Sequence, residues 1–337
     1  MAAIIFLGVI GIFKERNPFI VPVLFLLALA LKFAFISHPL PAEPPTSGGL
    51  LDQLLYNSWW KILKPGFLAV ISITIIILSS LYFNYLLSEK RMYQRNHLVT
   101  AVCFVILTSL FAGTQRMQAG IIMLPVTILL FRQMMMLYNH ARPRTIVVNI
   151  GLIAGTGTLL YHPYWWMLPW CFWALGQMRP FRLNEWVLML LSFALPAYVI
   201  LSYEYLTDQW NPAAHWPVWN PLKAMPAWNP WWVSLCILFL MWMISGFSQW
   251  QTANKRMLIQ TRKNWYLMLM MGIFVFPSLF FPTGNFYEGI TLLLLPASAL
   301  GTYSFSNQNR LGPQQIFFWF LLIAAGVFSW AVLNQKM

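Results

Sequence analysis

The sequence predicts an all-α, polytopic transmembrane helical protein with about eleven spans, its N-terminus in the cytoplasm and its C-terminus outside. Of its 337 residues, 59% are hydrophobic and only 9% are charged, whereas soluble domains carry about 25% charged residues. The apolar residues form long runs that are separated by short basic loops, which is the usual pattern of membrane topology. We therefore expect most of the chain to be folded in lipid.

Eleven apolar runs predict the spans. They cover approximately residues 18–36, 66–87, 98–112, 118–137, 145–161, 164–178, 186–206, 231–249, 265–283, 289–305 and 315–333. A span needs about 20 residues, and several of these runs are shorter. The runs 145–161 and 164–178 are joined by little more than His162-Pro163, so we expect a tight helical hairpin there.

The distribution of Lys and Arg predicts the orientation. With the N-terminus inside, fifteen of the 21 basic residues fall on the cytoplasmic side, five fall outside, and Lys32 lies within the first span. Because basic residues are retained in cytoplasmic loops, this bias favours the chosen orientation and an odd number of spans. The net charge of +13 is then a topology signal, and we expect no nucleic-acid partner.

We expect a single transmembrane domain over residues 1–337. Residues 1–17 are predicted to be an interfacial segment, because the apolar part, 1–13, is too short to span a bilayer. Residues 37–65 and 207–230 are predicted to be long outer loops. Part of the first loop, 50–60, has apolar positions at helical spacing, which favours a helix along the membrane surface.

Several function classes lack their sequence signals. No Walker A loop, HExxH or GxSxG motif occurs, which argues against a nucleotide-driven motor, a zincin and a serine hydrolase. The three cysteines lie in apolar runs without metal-ligand spacing, so neither a disulfide nor a zinc site is expected. No acidic residue lies deep within a span, which weakens the case for a secondary transporter.

Charged side chains at the predicted outer face are the candidate site. Lys32 either snorkels to the headgroups or binds an anionic lipid phosphate. Arg116 either contacts a headgroup or holds a phosphate through two hydrogen bonds. Five of the eight acidic residues, with His162, also fall at this face, where acids are either solvated or part of a site. Those acids are Glu43, Asp52, Glu204, Asp208 and Glu288.

The central stretch resembles an uncharacterised family of integral membrane proteins from Bacteroidota. The resemblance is best over about 145–210 and includes the entry into the first span. It rests on Asn149-Ile150-Gly151-Leu152, Leu160-Tyr161-His162-Pro163, Arg179-Pro180-Phe181-Arg182 with Glu185-Trp186, Leu195-Pro196-Ala197-Tyr198, Tyr205-Leu206-Thr207-Asp208-Gln209, and Phe13-Lys14 to Asn17-Pro18. The resemblance implies a multi-pass protein of a Gram-negative inner membrane and carries no established function.

The order of the elements is also similar to the GT-C class of membrane glycosyltransferases, with a first span, a long outer loop with acids and a series of short spans. That resemblance implies transfer of a sugar from a polyprenyl-phosphate carrier at the outer face. It also implies a catalytic acid in the first outer loop, where this chain has Asp52 and Glu43. The adjacent acid pair common in that class is missing.

The leading hypothesis is therefore a GT-C-like envelope glycosyltransferase. Asp52, with Glu43 as the alternative, would be the general base or would hold a divalent metal, whose ligands the sequence does not identify. Lys32 and Arg116 would bind the phosphate, and the remaining substrate-binding candidates are His162, Glu204 and Asp208. The alternatives are a non-enzymatic membrane subunit or scaffold of an envelope assembly, with other envelope proteins as partners, and a lipid or solute transporter.

Overall fold

Every regular element of the structure is helical. A computed structural model describes residues 13, 20–39, 50–93, 97–208, 230–280, 286–306 and 311–333. Within these ranges the α-helices are α1 (Ile20–Ser37), α2 (Leu50–Leu55), α3 (Pro65–Glu89), α4 (Val99–Leu110), α5 (Ala119–Met136), α6 (Pro143–Leu160), α7 (Met167–Met178), α8 (Leu183–Leu206), α9 (Pro230–Asn254), α10 (Ile259–Val275), α11 (Phe286–Ser306) and α12 (Leu311–Leu333). The predicted all-α class is confirmed for these residues.

Short turns of tighter or wider helix extend four of these elements. A π-helical turn, Tyr56–Trp60, continues α2, and 3₁₀ turns follow α4, α6 and α10 at Ala112–Gln115, His162–Trp166 and Phe276–Phe280. The predicted helical character of 50–60 is therefore confirmed. The predicted interfacial segment 1–17, except residue 13, lies outside the described residues, as do 40–49 and 209–229 of the two long loops.

Each of the eleven apolar runs coincides with one helix, α1 or one of α3 to α12. Among the described residues, seven helices are long and apolar enough to cross a membrane. They are α1, α3, α5, α6, α8, the Val233–Asn254 part of α9, and α10 with its 3₁₀ turn to Phe280. Helices α4 and α7 have only 12 residues each, so each is about 18 Å long, against a hydrocarbon core of about 30 Å.

Helix α4 forms the centre of the bundle. All twelve of its residues are buried, because α1, α3, α11 and α12 pack around it. Its hydroxyl side chains are satisfied internally: Thr108 and Ser109 donate to the carbonyl of Val105 at 3.0 and 2.8 Å. A short helix without lipid contact can therefore hold polar groups that a lipid-facing helix could not.

Helices α6 and α8 pack closely against each other. A Cβ added at Gly151 would lie 2.7 Å from Cβ of Ser192, and one at Gly155 would lie 2.3 Å from the carbonyl oxygen of Phe193. The two glycines are four residues apart, so both lie on one face of α6 and let the backbones approach. Much of α8 remains exposed on its other faces, and only 22% of its most apolar stretch is buried inside the bundle.

The bundle has two ends, which differ in chemistry. The Trp265 end contains Met92 and the aromatic residues Tyr93, Trp265 and Tyr303, whose rings contact one another. The Lys32 end contains Lys32, Thr108 and Gln115, with the first turns of α5 and α11. Helices α3, α4, α10 and α11 run from one end to the other.

Candidate functional site

Lys32 lies on the buried face of α1 and is 0% exposed. It shares this face with apolar residues spaced three or four positions apart, Leu24, Ala28, Leu31 and Phe35. Its Nζ donates to Oε1 of Gln115 at 2.8 Å and to Oγ1 of Thr108 at 3.2 Å. The side chain therefore points into the bundle, and the alternative that Lys32 snorkels to the headgroups is wrong.

The turn after α4 presents Gln115 to Lys32. The last carbonyls of a helix lack partners within the helix, and here side chains of the turn provide them. Thr114 Oγ1 donates to the carbonyl oxygens of Thr108 at 2.8 Å and Phe111 at 2.7 Å, and Nε2 of Gln115 also donates to Thr108 O. Because the amide nitrogen of Gln115 is held in this way, its oxygen faces the Lys32 ammonium.

Both acceptors of Lys32 are neutral. Among the residues that the structure describes, no carboxylate lies within ion-pair distance of its Nζ. A buried ammonium is costly unless its charge is compensated, and hydrogen bonds to neutral oxygens compensate only part of that cost. This position therefore favours the approach of an anion.

Arg116 follows Gln115 directly and is half-buried. The ring of Tyr287 packs over the same turn, since a Cβ added at Gly113 would lie 2.2 Å from it. Partial burial lowers the pKa of Arg116, and the neighbouring Tyr287 hydroxyl acts in the opposite direction. The guanidinium remains charged at neutral pH, so the turn brings a second cation to the Lys32 end.

Glu288 also lies at this end, in the first turn of α11, and is almost completely buried. A Cβ added at Gly120 would lie 2.8 Å from the Glu288 backbone, so the first turns of α5 and α11 touch. Tyr161 lies near both Glu288 and Ser278. The Lys32 end thus contains two cations and one acid from the described residues, together with several buried hydroxyl groups.

Lys32 makes no hydrogen bond to the other predicted site residues that the structure describes. His162 is buried in the 3₁₀ turn after α6, Glu204 is buried near the end of α8, and Asp208 is exposed with a φ of 56°. None of the three hydrogen-bonds to Lys32. The side chain of Asp52, in α2, and the whole of Glu43 lie outside the described residues.

The segment that carries Asp52 nevertheless reaches the same turn. Helix α2 contacts α6, and its π-helical continuation buries Trp60 against Leu68 and Met117. Met117 follows Arg116 in the chain. The predicted metal site remains a prediction: the described residues contain no group of three His, Cys, Asp or Glu side chains that could hold a metal ion.

Sequence reasoning missed the partners of Lys32. Thr108 and Gln115 are 76 and 83 residues away along the chain, so no local pattern links them to it. Glu288 was recognised as an outer acid but not as a neighbour of the turn. The signal that could have pointed to this turn is its clustering of Thr114, Gln115, Arg116 and Gln118 between two apolar runs.

At the Trp265 end, two basic residues have protein partners. Arg179 pairs with Glu185 at 3.2 Å and donates to the carbonyl oxygen of His140 at 2.9 Å. Lys263 donates to the carbonyl oxygen of Gln177 at 2.7 Å, and its Nζ lies 5.1 Å from the centre of the Tyr138 ring. Each of these two cations therefore has partners within the described part of the chain.

Comparison with known proteins identifies a family whose function is unknown. No curated protein and no solved structure matches the chain. The model of one protein family matches residues 51–336, which include α3 to α12, all of α2 except Leu50, and the turn that carries Gln115 and Arg116. The chain belongs to the family of unknown function DUF6427.

Proposed function

We propose that this protein acts in envelope biogenesis in the inner membrane of a bacterium of the Bacteroidota, where its Lys32 end binds the phosphate of a polyprenyl-phosphate-linked sugar. We further propose eleven spans, with the N-terminus in the cytoplasm, so that the Lys32 end faces outside. The seven long apolar helices support a multi-pass membrane protein. The excess of basic residues in the predicted cytoplasmic loops supports the orientation.

One observation carries the binding proposal. The buried ammonium of Lys32 has only neutral acceptors, and one of them, Gln115, is the residue before Arg116. An ionisable group inside a membrane domain is costly to keep and is generally functional. A phosphate at this position would accept hydrogen bonds from Arg116 and compensate the charge of Lys32.

The proposed reaction is glycosyl transfer of the GT-C type. The acceptor hydroxyl oxygen would form a bond with the anomeric carbon of the sugar while the bond from that carbon to the phosphate oxygen breaks. Asp52 would accept the proton of the hydroxyl, and the phosphate would leave with the bonding electron pair. Lys32 and Arg116 would stabilise the negative charge that develops on the phosphate.

A binding experiment tests this function. Native mass spectrometry in nanodiscs would compare undecaprenyl phosphate with undecaprenol, which lacks the phosphate. Because a hydrogen bond to a charged group contributes about 1.5–3 kcal/mol, we expect Lys32→Met and Arg116→Gln each to weaken binding of the phosphate roughly 10- to 100-fold. Lys255→Gln, an exposed position beyond α9, is the control and should bind normally. Equal binding of the two lipids would contradict the proposal.

A scaffold is the second candidate, and the same hydrogen bonds favour it. Lys32 joins α1 to α4 and to the turn after α4, which are far apart in sequence. In that role Lys32 would fix the arrangement of the helices and would bind no ligand. A scaffold predicts that Lys32→Met lowers stability without changing lipid binding, and that Arg116→Gln changes neither.

The orientation has its own test. In a Cys236→Ala background, single cysteines at Arg142, Lys255 and Asp208, all exposed, would be treated with a membrane-impermeant maleimide. In intact cells we expect labelling at 208 only, and labelling at 142 and 255 only after permeabilisation. Labelling of 142 or 255 in intact cells would overturn the proposed topology.

A further inference from the structure

The segment between α2 and α3 has two distinct faces. Its inner face buries Trp60 against Leu68 and Met117, with Leu63 partly buried beside them. Its outer face exposes apolar side chains outside the predicted spans, Leu54 at 63%, Trp59 at 64% and Ile62 at 75%. The inner contacts hold the segment in place, so the outer face is presented by a fixed structure.

The charged side chains of the outer face are both basic. Lys61 and Lys64 are both exposed, and they flank Ile62, the most exposed of the three apolar residues. No acidic residue occurs between Gln53 and Ser88. Exposed Trp and aliphatic side chains beside lysines are suited to a membrane interface, where rings lie at headgroup level and ammonium groups meet phosphates.

We propose that this outer face, defined by Leu54, Trp59, Lys61, Ile62 and Lys64, is a binding site for an anionic glycerophospholipid. The two ammonium groups contact the headgroup phosphate, while Trp59 and Ile62 contact the upper part of the acyl chains. The charge complementarity selects an anionic lipid over a zwitterionic one. The site shares no residue with the proposed sugar-phosphate site and does not depend on glycosyl transfer.

Tryptophan quenching by brominated lipids tests this site. Protein would be reconstituted in vesicles with equal fractions of brominated phosphatidylglycerol or brominated phosphatidylcholine. The signal of Trp59 is the difference in quenching between the wild type and Trp59→Phe. We expect Trp59 to be quenched more strongly by the phosphatidylglycerol, with a preference that falls as salt rises.

Substitution of both lysines should remove that preference. Each ammonium near an anionic surface contributes about a fivefold factor in affinity, so Lys61→Gln with Lys64→Gln should reduce the preference roughly 25-fold. Lys61→Arg with Lys64→Arg should retain it, and Lys255→Gln with Arg256→Gln, an exposed pair at the other end, is the matched control.

Three results would overturn the site: equal quenching of Trp59 by the two lipids, no quenching of Trp59 by either, or a preference that survives the double Gln substitution. The proteins used to measure the quenching and the lipid preference all keep Lys32 and Arg116 unchanged. Loss of undecaprenyl phosphate binding in Arg116→Gln therefore reports on the proposed function alone.

Discussion

At the Trp265 end, the carbonyl oxygen of Met92 accepts hydrogen bonds from Nε1 of Trp265 at 3.0 Å and from the hydroxyl of Tyr303 at 3.1 Å. At the Lys32 end, a buried ammonium donates to two neutral side chains. The first arrangement joins neutral donors to a backbone acceptor and is complete without a ligand. The second places a basic amine inside the membrane domain, where both of its hydrogen-bond acceptors are neutral and neither can pair with its charged form. This difference is the reason for our proposal that the Lys32 end binds an anionic ligand.

The largest effect is expected for Asp52→Asn, which tests whether the Lys32 end supports catalysis. If Asp52 is a general base, removal of its proton acceptor should slow glycosyl transfer about 10²–10⁴-fold. Transfer from a polyprenyl-phosphate-linked sugar by protein in proteoliposomes is the measurement. Glu89→Gln, an acid beyond the opposite end that pairs with Lys90, is the control. Unchanged turnover in Asp52→Asn would remove Asp52 from the mechanism.

The two lysines Lys32 and Lys263 compare a buried with a half-buried side chain. Lys32→Met leaves the oxygens of Thr108 and Gln115 without their donor inside the bundle, which should lower the free energy of unfolding by about 1–3 kcal/mol. Lys263→Met removes an exposed contact to Gln177 and should cost under about 1 kcal/mol. Thermal unfolding of both variants in one detergent gives the values. A larger cost for Lys263→Met would contradict the contrast between the ends.

Substitution of Gly113 and of Gly176 by alanine compares the packing at the two ends. In Gly113→Ala the new Cβ would overlap the Tyr287 ring, with 2.2 Å to the nearest ring atom, and such overpacking costs typically about 1–3 kcal/mol. In Gly176→Ala the nearest atom is 3.7 Å away on Trp186, so the helical preference of Ala should stabilise α7 by up to about 1 kcal/mol. An unfolding temperature that does not fall in Gly113→Ala would show that the Tyr287 ring can move aside.

The contribution of a single hydrogen bond is tested by Tyr303→Phe at the Trp265 end. The substitution removes the hydroxyl donor to Met92 O while Trp265 Nε1 still serves that carbonyl. The cost should therefore be that of one hydrogen bond, about 0.5–1.5 kcal/mol. The same unfolding assay measures it, and lipid binding at the Lys32 end should not change. A cost well above that range would mean that the hydroxyl supports more than this bond.

The sequence located the helices because each apolar run must satisfy its backbone hydrogen bonds within itself when it lies in lipid. It could not show which faces point inward, since runs such as α3 are apolar on every side and carry no amphipathic periodicity. Lys32 was recognised as an unusual intramembrane cation, but its inward orientation depends on α1 packing against α3, α4 and α12. Such long-range packing leaves no local signal.

The candidate site could be predicted only in part, because long-range packing decides which side chains meet. Arg116 and Lys32 were selected by their charge alone, and the structure places both at one turn through Gln115, which carries no charge. Glu204 and Asp208 were selected in the same way, yet they lie on and beyond α8 and do not contact Lys32. Charge and predicted side of the membrane thus identify candidates, and only packing decides which of them meet.

The most direct test of the central claim is a cryo-electron microscopy map of the protein purified with its native lipids. The account predicts density for a phosphate beside Arg116, with an isoprenoid chain leading from it into the bilayer and the Lys32 ammonium within hydrogen-bonding distance of the phosphate. A map in which Lys32 stays bonded to Gln115 and Thr108, and in which no phosphate lies at the Lys32 end, would contradict it.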